Sequence, residues 1–96
     1  PEHFQNRRVH AVAGIGNPQR FFAQLRRLGL SFTAHAFPDH HPYRPADLDF
    51  AADSIIMTEK DAVKCRPFAT ELHWALRVDA EIDAALGELV LSRLDT

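Results

Sequence analysis

Between Val9 and Gly29 the chain passes without interruption from an apolar run, through a glycine turn, into a segment marked as a helix at both ends. Val9, Ala11 and Ala13 fall on one face of an extended segment and Val12 on the other, so the run from Val9 to Ile15 predicts a strand buried on both sides. Gly14-Ile15-Gly16-Asn17-Pro18 then turns it. Asn17 suits the N-cap of the following helix, Pro18 its first helical position, and Gly29 the residue just past its last turn. Phe21, Phe22, Leu25 and Leu28 recur at helical spacing and predict the buried stripe, with Arg20, Gln24 and Arg27 toward water. Arg26 and Arg27 suit the negative end of the helix dipole. A strand delivered directly into a helix is the first half of a βαβ unit, which commits the chain to a sheet with helical crossovers.

The alternation continues. Phe32 to Phe37, with Phe32, Ala34 and Ala36 on one face, predicts a second strand that Pro38 ends. The polar, proline-punctuated Asp39-His40-His41-Pro42-Tyr43-Arg44-Pro45 is the longest loop and leads to a short helix around Ala46 to Asp53. Ser54 to Met57 predicts a third strand. Thr58-Glu59-Lys60-Asp61 has the form of a capped helix start, in which the Thr58 hydroxyl accepts the Asp61 amide and the Asp61 carboxylate reaches back to Thr58. Pro67 limits that helix. Trp74 to Val78 predicts a fourth strand, and Ile82, Leu86, Leu89 and Val90 the apolar stripe of a last helix, in which Gly87 costs about 1 kcal/mol relative to Ala. The expected fold class is α/β: a three-layer α/β/α sandwich of roughly four mainly parallel strands alternating with helices.

With 96 residues, 46% of them hydrophobic, residues 1–96 make a single domain. The formal net charge of −2 provides no general field for polyanions, so no nucleic-acid partner is expected. Cys65 is the only cysteine, which excludes an internal disulfide and multi-cysteine zinc sites and fits a reducing compartment. No apolar stretch approaches about 18 residues, and Pro1-Glu2-His3-Phe4 does not open a signal peptide, so a soluble fragment is expected. A start on Pro1 rather than Met suggests a piece cut from a longer chain.

Ligands of parallel sheets sit beyond the carboxyl ends of the strands. Those ends carry Gly14 to Asn17, Pro38 to Tyr43, Thr58 to Asp61, and Asp79. Gly14, Gly16 and Asn17 form a glycine turn before a helix N-terminus, where free amides can take a phosphate. Gln19 stands where a dinucleotide fingerprint would place its third glycine, no Walker A pattern occurs, and the same glycines also serve a tight turn. Asp39-His40-His41 joins a carboxylate to imidazoles, the equipment of acid–base work; a solvated polar loop is the competing reading. No metal site is expected: adjacent histidines diverge, His35 lies five residues before His40, and no HxxxH spacing occurs. Lys60, with Thr58, could meet a phosphate at a helix start, although capping already accounts for Thr58; Lys64, one turn on, fits a solvated face or half an anion site. Cys65, near the far end of its helix, fits a small buried apolar residue. The residues alone give an α/β domain with an anion- or phosphate-facing edge.

Three runs in register go further. Ala11-Val12-Ala13-Gly14-Ile15-Gly16-Asn17-Pro18-Gln19-Arg20-Phe21-Phe22, Pro38-Asp39-His40-His41, and Met57-Thr58-Glu59-Lys60-Asp61-Ala62-Val63-Lys64-Cys65 closely resemble the C-terminal half of the tetraacyldisaccharide 4'-kinase family, the lipid A 4'-kinases of Gram-negative bacteria. The resemblance runs from about Val9 to Val78. It implies part of a P-loop kinase that phosphorylates the 4'-hydroxyl of tetraacyldisaccharide 1-phosphate, giving lipid IVA at the cytoplasmic face of the inner membrane. ATP and Mg²⁺ would be bound mainly by an N-terminal P-loop domain that these 96 residues do not include, leaving the fragment alone inactive. By the same resemblance His40 pairs with a catalytic aspartate of that domain, and Asp39, Gly14, Gly16, Asn17, Thr58 and Lys60 are candidates for facing nucleotide or anionic substrate. The alternative is a stand-alone α/β module that captures a phosphorylated ligand at the helix starts of Asn17 and Thr58.

Overall fold

The computed structural model describes residues 7–49, 52–79 and 88–94. In chain order these form β1 (Val9–Ala13), α1 (Pro18–Arg27), β2 (Thr33–Ala36), a 3-10 turn (Pro45–Leu48), β3 (Ser54–Thr58), α2 (Glu59–Cys65) with a 3-10 extension (Arg66–Phe68), β4 (His73–Asp79) and β5 (Glu88–Arg93). The five strands make one mixed sheet in the order β2-β1-β3-β4-β5. The first four are parallel, with Ala11 opposite Ala34 on one side and Ile56 on the other, and β5 runs antiparallel to β4.

From β1 the chain moves outward to β2, then crosses back to β3 on the other side of β1. Right-handed crossovers in opposite directions along a sheet put their connections on opposite faces. The core follows this rule. On one face Val9, Ala11, Ala13 and Ile56 pack with Phe21, Phe22 and Leu25 of α1. On the other, Val12, Ile55 and Met57 pack with Ala62 and Cys65 of α2 and with Tyr43 and Leu48. The odd-even alternation of Ile55, Ile56 and Met57 between the two clusters is strand periodicity expressed as packing. Helix α1 has the ends its sequence predicts: Asn17 Oδ1 accepts the Arg20 amide, and Gly29 takes φ +83° beyond the last turn.

Two expectations need correction. The helix expected around Ala46 to Asp53 is only the 3-10 turn Pro45–Leu48 among the described residues; Asp53 is held at the entry to β3 instead, its amide donating to the Arg8 carbonyl at 2.7 Å and its carboxylate accepting the Arg8 amide at 2.8 Å. Leu89 and Val90 belong to β5 rather than a helix, while Ile82 and Leu86 lie outside the described residues. Glu88-Leu89-Val90-Leu91 supports a strand as well as a helix over so short a run, and the open edge of β4 supplies the partner that decides. The sheet is therefore mixed, with five strands among the described residues where four alternating with helices were expected.

Candidate functional site

The strand order reverses at β1 and β3, and the turns that leave these two strands meet beyond their carboxyl ends. The Gly14 amide donates to Asp61 Oδ2 at 3.0 Å, and the Thr58 hydroxyl donates to the same oxygen at 2.7 Å. Asp61 is 0% exposed. Its amide donates to Thr58 Oγ1 at 3.1 Å, so the predicted cap of α2 is present. The reciprocal contact is present through the side chain, since the Thr58 hydroxyl at the end of β3 donates to Asp61 Oδ2, and the same oxygen also reaches across to the Gly14 amide.

Asp61 Oδ1 and the Tyr43 hydroxyl are both buried and lie close enough to interact, though neither meets a partner at full hydrogen-bond geometry. They close on the same backbone, since a Cβ at Gly14 would stand 2.8 Å from Tyr43 Oη and 3.4 Å from Asp61 Oδ1. Only glycine fits there. Burial, followed by the nearby Asp61 carboxylate, pushes the Tyr43 hydroxyl well above its ordinary pKa.

The Asp39-His40 segment hangs from this turn. Phe37 donates its amide to the Ala13 carbonyl at 2.8 Å, and His40 donates its amide to the Gly14 carbonyl at 3.2 Å. His40 adopts φ +63°, the left-handed region, and its side chain is 73% exposed. Its Nε2 lies 3.7 Å from Asp39 Oδ2, an ion pair when the imidazole is protonated and too long for a hydrogen bond. Asp39 Oδ2 in turn stands 3.8 Å from where a Gly16 Cβ would be.

His41 is used differently from its neighbour. Its ring stacks on Phe37 at 4.7 Å, meets Tyr43 edge-on at 4.9 Å, and bonds through Nε2 to Asp47 Oδ2 at 3.0 Å. Lys64 Nζ donates to the His41 carbonyl at 3.3 Å. The Arg44 amide and then the His41 ring hold the Asp47 carboxyl below the usual carboxylate range. One histidine pins the loop and the other is presented to solvent.

Of the residues singled out from the sequence, Gly14, Gly16, Asp39 and His40 thus share one edge, with Thr58 tied to them through Asp61. Asn17 is exposed but its side chain caps α1. Lys60 is exposed on the first turn of α2, and the bonds gathered around Gly14 do not include it. Asp61, Tyr43 and Lys64 enter the site in roles the sequence reading did not give them. The signal for Asp61 was present: it shares the buried face of α2 with Ala62 and Cys65, where an acidic side chain needs tertiary donors. Among the described residues no three His, Cys, Asp or Glu gather to hold a metal ion, and no helix is long and apolar enough to cross a membrane.

The class defined so far is an α/β domain with a histidine displayed at the carboxyl edge, beside the strand-order reversal. The family model described as Tetraacyldisaccharide-1-P 4'-kinase matches residues 1–95, and the chain belongs to that family. It is 63% identical over 87 residues to the tetraacyldisaccharide 4'-kinase of Methylobacillus flagellatus, a match covering 90% of this chain and 26% of the relative. It is 55% identical over 94 residues to the enzyme of that name from Aromatoleum aromaticum (97% and 28%) and 55% identical over 89 residues to that of Xanthomonas euvesicatoria (92% and 26%). The chain therefore spans about a quarter of the length of these curated relatives. No solved structure gives a significant match. A stand-alone phosphate-binding module is not favoured, because the family match runs across residues 1–95.

Proposed function

We propose that this chain is the C-terminal α/β domain, three-layered and spanning residues 1–96, of an ATP-dependent lipid kinase. The full-length protein transfers the γ-phosphate of ATP to the 4'-hydroxyl of tetraacyldisaccharide 1-phosphate, giving lipid IVA in lipid A biosynthesis at the cytoplasmic face of the inner membrane. The single observation that carries this reading is family membership across residues 1–95.

The residues present do not fit ATP and Mg²⁺ as a complete site. The sequence contains no Walker A run, and among the described residues no three metal-ligating side chains gather. Both belong to an N-terminal P-loop domain of the longer protein, which is this domain's partner together with the disaccharide. What this chain contributes is a positioned imidazole. Phosphoryl transfer relies on placement and charge stabilisation, with a base to take the proton of the attacking hydroxyl. Exposed on a short, bonded loop, His40 suits pairing with a carboxylate across a domain cleft, orienting that base and making it complete only when the domains close. Asp39, Gly14, Gly16 and Asn17, with Thr58 and Lys60 beside them, make up the edge that faces nucleotide or anionic substrate.

The test is 4'-kinase turnover by the full-length protein and its His40→Ala variant. The variant is expected to lose about 10²-fold or more in kcat, the scale of a general-base partner, with a folded domain. Parent-like turnover by His40→Ala overturns the role given to His40, and a folded but inactive parent overturns the kinase reading.

A further inference from the structure

The bonds around Gly14 form a continuous chain from the interior to the displayed imidazole. Thr58 Oγ1 and the Gly14 amide both donate to Asp61 Oδ2, at 2.7 and 3.0 Å, and the Gly14 carbonyl accepts the His40 amide at 3.2 Å. Asp61 is fully buried and 47 residues from Gly14 in sequence, so its carboxyl is not a local turn device. Burying such a group is costly unless it is bonded, and here both bonds go to the turns leaving β1 and β3. The other oxygen, Oδ1, is buried near the Tyr43 hydroxyl, and both crowd the same Gly14 backbone. Capping α2 would be satisfied by the Thr58 hydroxyl alone, which leaves the contact to Gly14 unexplained by helix formation.

We infer that Asp61 is a positioning residue for the transfer reaction: from inside the sheet edge it fixes Gly14, and through the Gly14 carbonyl it fixes where His40 stands. The inference rests on the role given to His40 above. Its chemistry is that of preorganisation, in which a small displacement of a catalytic partner costs rate without changing ground-state affinity. Asp61 touches neither substrate nor nucleotide. Its loss therefore falls mainly on kcat, with a smaller effect on KM passed through the Gly14 edge.

The experiment is a double-mutant cycle in the full-length kinase, with Asp61→Ala and His40→Ala singly and together, kcat and KM measured for each. Asp61→Ala is expected to lower kcat by roughly 10- to 100-fold, a larger factor than any change in KM. The same substitution made in the His40→Ala background is expected to cost almost nothing further, because the residue it positions is gone. Asp61→Asn retains an oxygen for both donors and is expected to restore kcat to near the parent value, a rescue that distinguishes placement from charge. Should Asp61→Ala fail to accumulate as folded protein, Asp61→Ser, which keeps a polar group but is too short to bridge to the Gly14 amide, takes its place in the cycle with the same expectation. Equal fractional losses in the presence and absence of His40 overturn the inference while leaving the kinase reading intact. Full activity of His40→Ala by itself instead removes the reading on which the inference rests, so the two failures are separable.

Discussion

The Gly14 amide donates to Asp61 Oδ2 at 3.0 Å, joining two residues 47 positions apart at the point where the strand order of the sheet reverses. Open α/β sheets separate their connections to opposite faces at such a point, leaving a crevice between the first turns. Here a carboxyl group from one turn is bonded to the backbone of the other, and the crevice becomes a fixed platform. The Asp39-His40 segment is attached to that platform through backbone bonds, which lets a side chain at the surface inherit the rigidity of the sheet.

The fit around Gly14 makes a stability prediction. Gly14→Ala places a methyl 2.8 Å from Tyr43 Oη and 3.2 Å from the Pro38 carbonyl, and the Pro38 backbone has no room to yield cheaply. The expected cost is about 1–3 kcal/mol in the full-length protein. Tyr43→Phe removes the hydroxyl that crowds Gly14 together with its interaction with the buried Asp61 carboxyl, and is expected to cost about 1 kcal/mol by itself. Combined, the two changes should destabilise less than the sum of their separate effects. Strictly additive unfolding free energies would show that Tyr43 does not limit the space at Gly14.

How much of this was legible in the sequence depends on the range over which each interaction acts. The β1-turn-α1 unit, with Asn17 and Gly29 at its ends, is encoded by local rules and is found where those rules place it. His40 and the glycines could be singled out because chemistry-bearing residues at strand ends are conspicuous. Leu89 and Val90 misled because a short apolar run satisfies helix and strand spacing alike, and the deciding factor, the free edge of β4, lies outside the run. Asp61 was assigned to the cap it does form, but its second bond crosses 47 residues and no local pattern announces it. The division of labour between His40 and His41 was equally hidden, since it depends on Phe37, Tyr43, Asp47 and Lys64 converging on one ring and one carbonyl.

Cys65 is 0% exposed, and burial, with Asp61 next, pushes its thiol up to about 11. The reactive form is the thiolate, so the native protein should hold this thiol inert at neutral pH. Alkylation of Cys65 by iodoacetamide, followed by peptide mass spectrometry, is expected only after denaturation. Rapid labelling of the native state would mean that α2 opens readily from the sheet.

His35 on β2 meets His10 on β1 at 2.7 Å between ring nitrogens, with the rings stacked at 5.0 Å and 10°. Burial first, and His10 second, lower the His35 pKa below its ordinary value. The sign follows from proton counting. Below about pH 6.5 the unfolded chain protonates this histidine before the folded one does, so stability falls as the pH falls through that value. The thermal midpoint should therefore drop between about pH 8 and about pH 5.5, and drop less steeply in His35→Gln. An identical pH slope in parent and variant would assign the dependence to other groups.

His40 itself carries the last prediction. A residue with a Cβ at φ +63° is in the left-handed region, which costs roughly 1–2 kcal/mol and persists where the surroundings impose it. Here the imposing contacts are the His40 amide on the Gly14 carbonyl and the His41 amide on the Pro38 carbonyl. Glycine relieves that conformation but loses more freedom on folding, by about 0.5–1 kcal/mol, so His40→Gly should unfold at the parent's temperature or slightly above it. His40→Val, β-branched and poorly suited to positive φ, should be less stable by about 1 kcal/mol or more. Both variants should lose turnover alike. Thermal unfolding and kinase assays on the three proteins then separate the two quantities: a stability order of Gly at or above His, and His above Val, with activity only in the parent, means the loop carries its strain in order to present an imidazole. A valine variant as stable as the parent would show that the backbone at this position yields freely, and that the Gly14 platform does not impose the His40 conformation.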